Sequence, residues 1–272
     1  MEMGLGGKRA LVTGAAGGIG GAICRMLAGE GCAVMAHDLA AKADTGARLV
    51  EELKQTGVDA TTHFSDLGKP VEVLALAAAA DAWRGGLDIL VSNAATLYGP
   101  PQRPWLEVDD ERWRGTYQTN TLAPAMLARQ LIPGMVKRGF GRIIFISSMS
   151  GVRPYATEPH YATSKAALIN MALGISKAFA GTGVSAVTIC PGPIMTSLLE
   201  GSLRELAQQK GWQGSWEEIQ KRAASEAYRL TVGRMGKPDD IARAVTFLAS
   251  PLSDFITGVN LRVCGGSSSE IN

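Results

Sequence analysis

Tyr161 and Lys165 stand four residues apart, and Ser148 lies thirteen residues before the tyrosine. Four residues make about one helical turn, so the phenol and the ammonium share a helix face. A free tyrosine has a pKa of about 10 and exchanges protons poorly near neutrality. A neighbouring ammonium favours the phenolate and brings that pKa down, which makes the hydroxyl usable as a general acid or base. By itself the pair is weak evidence, because two common residues at helical spacing are more often solvated surface groups.

Thr13-Gly14-Ala15-Ala16-Gly17-Gly18-Ile19-Gly20 follows directly on the apolar run Ala10-Leu11-Val12. A short buried strand thus enters a glycine-rich turn, and a helix leaves it. Glycines let a backbone approach a pyrophosphate closely, and the positive end of the helix receives its charge. The spacing is Gly-x-x-x-Gly-x-Gly rather than Gly-x-Gly-x-x-Gly. Asp38 stands eighteen residues after Gly20, about where a dinucleotide fold places the carboxylate that accepts from the adenosine 2′-hydroxyl. The same charge would repel a 2′-phosphate, so NAD is expected as cofactor in preference to NADP. His37 is adjacent, but its side chain should point to the other side of the strand.

Positioning groups this far apart in sequence requires a sheet. Strand-like apolar runs lie near 9–13, 33–37, 59–63, 88–92, 142–147, 185–190 and 260–263. Helical patterns fill the gaps near 18–28, 43–55, 71–83, 120–137, 161–180 and 238–249. This alternation is the signature of an α/β, doubly wound fold with a parallel sheet, helices on both faces and right-handed crossovers. At 272 residues and 28.6 kDa the chain is read as a single domain, 1–272, with a substantial core. One stretch, 194–233, breaks the rhythm with Trp212, Trp216, Tyr228 and many charges but no strand pattern. One or two amphipathic helices are expected there, either packed on the domain or covering the crevice at the carboxyl ends of the strands. The tail from Ser267 to Asn272 is polar, and either frays or packs on a neighbouring subunit.

Composition narrows the function classes. A formal charge of +2 without a basic cluster gives no argument for nucleic acid. No apolar run is long enough to span a bilayer, so no membrane partner is expected. Residues 1–7 lack the basic and apolar blocks of a signal peptide, and the expectation is a cytoplasmic protein. Cys24, Cys32, Cys190 and Cys264 are scattered and read as reduced thiols, with Cys32 and Cys190 buried in strands. His37, His63 and His160 are isolated, which argues against a metal site.

Together these residues resemble the short-chain dehydrogenase/reductase family over about residues 8–266. The motifs come in the family's order: the glycine turn, Ser92-Asn93-Ala94-Ala95 where Asn-Asn-Ala-Gly is usual, Asn120, Ser148, Tyr161 with Lys165, and Pro191-Gly192 after the sixth strand. The resemblance implies a Rossmann-type sheet of seven strands in the order 3-2-1-4-5-6-7. It implies that Tyr161 exchanges the proton of a carbonyl or hydroxyl, and that Lys165 lowers the Tyr161 pKa and binds the nicotinamide ribose. It further implies that Ser148 holds the substrate oxygen and that Asn120 anchors a water chain to Lys165. Cofactor contacts are implied at Gly14, Gly17, Gly18, Ile19, Gly20, Asp38, Leu39, Asn93, Ala94, Tyr161 and Lys165. Asp66-Leu67 resembles the adenine-contacting pair, and the segment Pro191-Gly192-Pro193-Ile194-Met195-Thr196 resembles the one whose isoleucine backbone and threonine side chain hold the carboxamide. NADP-using members commonly carry a basic residue in the glycine turn or just after strand two; Gly17 and Leu39 stand there instead. Ala95 departs from the family glycine and narrows the space near the nicotinamide. The stretch 194–233 corresponds to the variable substrate-binding segment, here expected to be a lid.

Substrate signals are thinner. Glu158 stands three residues before Tyr161, flanked by Arg153 and His160. Its carboxylate either binds a hydroxyl or cation of the substrate or pairs with Arg153 to order the loop. Ala95, Leu97, Met149, Tyr155, Leu198 and the tryptophans are expected to give the pocket apolar or aromatic walls. The leading expectation is an NAD-dependent enzyme acting on a small secondary alcohol or ketone. A 3-oxoacyl-thioester reductase is the alternative within this class, with Arg129 and Arg153 as its only hints of a carrier-protein surface. A non-catalytic NAD-binding regulator is the alternative outside it. The resemblance also implies a homotetramer, or a homodimer as the lesser case, built partly on helices 120–137 and 161–180. The second of these is apolar on more than one face.

Overall fold

Seven parallel strands form one sheet in the order β3-β2-β1-β4-β5-β6-β7. The computed structural model describes residues 2–99 and 103–267. The strands are β1 (Arg9–Thr13), β2 (Ala33–Asp38), β3 (Ala60–Phe64), β4 (Ile89–Ser92), β5 (Gly141–Ile146), β6 (Val184–Pro191) and β7 (Asn260–Val263). The helices that return the chain between them are α1 (Gly18–Gly29), α2 (Ala43–Lys54), α3 (Pro70–Ala82), α4 (Asp110–Tyr117), α5 (Ala123–Arg138), α6 (Pro159–Ala178), α7 (Ser197–Gln209), α8 (Trp216–Arg222) and α9 (Pro238–Ala249).

The strand period of two sorts the core into layers. Ala10 and Val12 of β1, with Ile144 and Ile146 of β5, face Ile23, Leu49, Leu53, Ile241 and Val245 of α1, α2 and α9. Leu11, Ile143 and Phe145 point the other way, onto Val73, Leu76, Leu127, Leu131 and Leu168 of α3, α5 and α6. Both faces of the sheet are therefore covered, which is why the central strands read as unbroken apolar runs.

Strand order reverses between β1 and β4, and the crevice above that point is where such sheets hold ligands. A side chain closes it. The backbone N–H groups of Asn93 and Ala94 donate to Thr13 Oγ1 at 3.0 and 3.1 Å. Asn93 Nδ2 donates back to the Thr13 and Gly14 carbonyls at 2.9 and 3.2 Å. At the opposite end of the sheet Asp88 accepts from Arg9 Nε and Nη2, both at 2.8 Å, and from Arg138 Nε at 3.4 Å.

Two features depart from expectation. Helix α4 was not foreseen, because Asp-Glu-Arg-Trp-Arg-Gly-Thr-Tyr buries only Thr116 and carries no apolar stripe. Its start is set by Asp109, whose side chain accepts from the Arg112 N–H at 2.9 Å. Asn120 then lies in a π turn (Gln118–Leu122) between α4 and α5 rather than at the start of a regular helix. The stretch 194–233 holds the expected helices, α7 and α8, and they build a core of their own from Leu203, Ala207, Trp212, Ala223, Ala224 and Leu230. Trp212 is thus a core residue of the insert, not a pocket wall. Cys24, Cys32 and Cys190 are buried and Cys264 partly so, all as free thiols; Cys32 falls just before β2 rather than within it. Among the described residues no helix is long and apolar enough to cross a membrane.

Candidate functional site

Strand β5 ends at Ile146, and Ser147 and Ser148 follow it. Ser148 is extended, with φ −162°, and its Oγ accepts from the Ser150 N–H at 3.1 Å, capping a short turn over Met149–Gly151. That turn presses against α6: a Cβ on Gly151 would come within 2.8 Å of the Lys165 carbonyl carbon. Only glycine permits the approach. Helix α6 starts from Glu158, a left-handed residue with φ 62°, followed by Pro159, whose missing N–H is no loss at a first helical position. One turn on, Tyr161 faces Ser148, and Lys165 follows one turn later.

Burial sets the electrostatics. It pushes the Tyr161 hydroxyl above the ordinary tyrosine value, and the hydrogen bond with Ser148 pulls it part of the way back. Lys165 is fully buried, and desolvation lowers its pKa to about 8. Its Nζ donates to the Ile146 carbonyl at 2.8 Å and lies 5.7 Å from the centre of the Tyr161 ring. The spacing leads to the expectation of a phenol lowered by the ammonium; in this structure burial raises it instead. In this structure the ammonium is anchored on the end of β5, and the hydroxyl that favours the phenolate is that of Ser148.

Asn120 is fully buried, and its side chain is committed to backbone. Oδ1 accepts from the Thr96 N–H at 2.8 Å, and Nδ2 donates to the Thr96 carbonyl at 2.9 Å and to Ser164 Oγ at 3.1 Å. It clamps the loop after β4 to α6, one residue before Lys165. Glu158 does the same lower down. Its N–H donates to the Arg103 carbonyl, its Oε1 accepts from the Arg103 N–H at 3.0 Å, and its Oε2 sits 3.6 Å from His160 Nε2. Arg153, the partner considered for Glu158, is not the one it takes. His160 Nε2 is 2.9 Å from the Leu97 carbonyl, and Trp113 packs edge-on to the ring.

The crevice above the β1–β4 switch is a cleft of about 860 Å³, within the range of cofactor sites. Gly14, Gly17, Gly18, Ile19, Gly20, Asp38, Leu39, Asp66, Leu67, Asn93, Ala94, Ala95, Thr196 and Leu198 all line it. The fit to a dinucleotide rests on shape as well as composition. Gly14 holds φ 68°, and a Cβ on Gly20 would overlap the Gly14 carbonyl, so the turn stays narrow and its floor bare. Asp38 is oriented by two backbone donors, Ala16 N–H to Oδ2 and Leu39 N–H to Oδ1, each at 2.8 Å. Lys42 and Lys69 also reach this cleft, which the sequence argument on Gly17 and Leu39 missed. Lys69 is engaged by Glu72 at 2.9 Å.

Tyr161, Lys165, Pro191, Gly192 and Ile194, also expected as cofactor contacts, do not border this cleft. Pro191 and Gly192 turn the chain out of β6, and Ile194 is buried in the core beneath, with Met195 N–H donating to the Gly236 carbonyl at 2.8 Å. Gly192 and Ile194 border a separate cavity of about 440 Å³ beside β7. Thr196 Oγ1 caps α7 by accepting from the Leu199 N–H at 3.4 Å. Met149 is buried, whereas Arg153 and Tyr155 are exposed. Tyr228 of the insert is half-buried, and desolvation raises its pKa. Thr13 opens the glycine turn in the sequence, but its tie to Asn93 and Ala94, some 80 residues away, leaves no local signal.

Burial of Lys165 has a measurable sign. Its folded value, about 8, lies below the unfolded lysine value, so between these the folded chain binds fewer protons and stability rises with pH. Below pH 8 the penalty is fully present, on the order of 3 kcal/mol. Lys165→Met should therefore be more stable than the wild type at pH 7, and should lose the gain that wild type makes towards pH 10. Denaturant titration at both values checks this; a variant less stable at pH 7 would mean that the bond to Ile146 outweighs the desolvation.

The sequence model of the family described as short chain dehydrogenase matches residues 8–206. A cis-4-hydroxycyclohexanecarboxylate dehydrogenase of Sinomonas cyclohexanicum is 32% identical over 257 residues, covering 94% of this chain and 95% of its own. The structure of L-sorbose reductase from Gluconobacter frateurii, complexed with NADPH and L-sorbose, superposes with a TM-score of 0.91 at 31% identity over 100% of both chains. A 7α-hydroxysteroid dehydrogenase complexed with NADH and 7-oxo glycochenodeoxycholic acid gives 0.84 at 31% identity, over 100% of this chain and 98% of that one.

Proposed function

We propose, since the chain belongs to the short-chain dehydrogenase/reductase family, that this oxidoreductase interconverts a small secondary alcohol and its ketone with NAD, using Tyr161 as general acid and base. The observation that carries the reading is the juxtaposition of two hydroxyls, Tyr161 and Ser148, at the carboxyl end of β5. A nicotinamide dinucleotide, when bound, supplies the hydride acceptor or donor. The glycine turn, Asp38, Asp66 and Thr196 would hold it. Tyr161 and Ser148 act on the substrate oxygen from one side, two donors that stabilise charge as the carbon–oxygen bond changes order. In oxidation the Tyr161 oxygen takes the hydroxyl proton; in reduction it returns one. Lys165 and Asn120 belong to the same machinery, the first as the buried charge behind the tyrosine and the second as the clamp on Thr96. The segment 194–233 serves as the lid of the substrate crevice.

For cofactor choice, the two related structures hold NADPH in one case and NADH in the other, so the fold alone does not decide. Asp38 supports NAD. Its carboxylate is fixed by Ala16 and Leu39 at the rim of the cleft, where it accepts from a ribose hydroxyl and repels a phosphate.

Two apolar faces support a homotetramer. One lies on α6, where Leu173 is exposed and Ile169 only half-buried. The other surrounds the edge strand β7: Phe255 is 100% exposed, with Phe247, Leu252, Val259 and Leu261 around it. Two distinct self-complementary faces build a four-copy assembly, and an uncovered edge strand is itself a site for pairing.

Three measurements test this reading. Tyr161→Phe should lower turnover by about 10²–10⁴-fold, the usual worth of a proton-transfer group, with NAD affinity nearly unchanged; more than a tenth of wild-type activity would assign the proton elsewhere. NAD should bind at least about tenfold more tightly than NADP, about 1.4 kcal/mol, and Asp38→Ala should narrow that gap; equal or better NADP affinity in a fluorescence titration overturns the preference. Light scattering at micromolar concentration should give four times the chain mass, and a value of 28.6 kDa would reject assembly.

A further inference from the structure

Tyr98, in the connection from β4 to α4, holds a left-handed backbone with φ 47°, which a tyrosine rarely adopts. Such strain persists where the surroundings over-determine a residue, and they do so here. Asn120 binds both the N–H and the carbonyl of Thr96, and His160 Nε2 lies 2.9 Å from the Leu97 carbonyl. The Tyr98 N–H then donates to Thr96 Oγ1 at 2.9 Å. The side chain joins none of the apolar cores among the described residues, and Tyr98 is 42% exposed. Its ring lies instead on Gly115 of α4, where a Cβ would come within 2.5 Å of two ring carbons. The hydroxyl donates to Glu111 Oε1, one turn back on the same helix, at 3.3 Å. Tyr98, Gly115 and Thr119 all line the cleft of about 860 Å³. Their wall adjoins the Asp66–Leu67 segment, because Gln118 Nε2 donates to the Leu67 carbonyl at 3.4 Å. An aromatic ring thus stands on bare helix backbone at the end of the cleft that Asp66 and Leu67 also border.

We infer that Tyr98 is a cofactor-binding residue: its ring, seated on Gly115, packs against the adenine base of the dinucleotide. The inference rests on the reading of the cleft as a nicotinamide-dinucleotide site. A purine presents a flat π face, and stacking on an aromatic ring needs no matching hydrogen bond. The pinned backbone and the bond to Glu111 hold the ring in place beforehand, so little freedom is lost when the base arrives. Gly115 is the other half of the arrangement, since any side chain there would lift the ring from its seat.

The test is calorimetric titration of wild type, Tyr98→Phe, Tyr98→Asn and Gly115→Ala with NAD and with ADP-ribose, which lacks the nicotinamide. Asparagine accepts the left-handed backbone but has no ring, so that variant reports on the ring and not on the strain. Tyr98→Asn should weaken both ligands about tenfold, about 1.4 kcal/mol, within the usual worth of a base stacked on an aromatic ring. Tyr98→Phe should bind both near wild type. Gly115→Ala should weaken both with little change in melting temperature, since alanine favours the helix, and should add little once Tyr98 is replaced by Asn. This second route keeps the test open if Tyr98→Asn does not fold. Wild-type affinity for ADP-ribose in Gly115→Ala and in any folded Tyr98→Asn overturns the proposal. A loss confined to NAD also overturns it, because the ring would then meet the nicotinamide half. If wild type binds neither ligand, the cofactor reading of the cleft fails and this inference fails with it.

Discussion

An ammonium held out of water is the constraint around which the carboxyl end of the sheet is arranged. Lys165 donates to the carbonyl that ends β5, and burial holds its pKa near 8. A charge in such a place is tolerated only where geometry is fixed by other means. Those means are visible around it. Gly151 lets the Ser148 turn lie flat against the helix, Ser147 binds the Lys165 backbone, and Asn120 ties the preceding loop to Ser164. Each contact costs adaptability and gives Tyr161, Ser148 and Lys165 a rigid seat, as the proposed proton transfer requires.

A second restraint joins this seat to the cofactor cleft. Four hydrogen bonds join Thr13 and Gly14 to Asn93 and Ala94 across the point where strand order reverses. The glycine turn is thereby locked to the strand that leads towards the substrate loop. Glu158 and His160 fasten the far end of that loop to α6, holding Arg103 and Leu97 by their backbones. The walls of the crevice are thus held mainly by main-chain contacts, which leaves their side chains free to vary with the substrate.

The strands and most helices were legible because both faces of the sheet are covered, so every central strand is a short apolar run bounded by turn residues. Strand β7 matches its expected span, 260–263, and α9 its span of 238–249. The meeting of Tyr161, Lys165 and the Ser148 turn was legible through spacing, since a tyrosine and a lysine one turn apart follow a serine at the end of a strand. What escaped notice has a common cause. Helix α4 is polar and held by a cap and by neighbours rather than by an apolar stripe, and the clamps made by Asn120 and Glu158 are to backbone atoms distant in sequence. Local patterns carry no record of such partners. The direction of the Tyr161 shift escaped for the same reason: the spacing shows that an ammonium is near, not that it is turned to another acceptor.

The insert between β6 and α9 closes on a centre of its own, with Leu203, Trp212 and Ala224 packed apart from the two layers beside the sheet. Mutations there are buffered: loss of packing in the insert leaves the sheet and its hydroxyl pair standing. Such a segment can drift, lengthen or be exchanged for another without a refolding penalty in the rest of the chain. On the proposed reading, a change of substrate can be met within the insert, whose core is separate from the supports of the Tyr161–Ser148 pair.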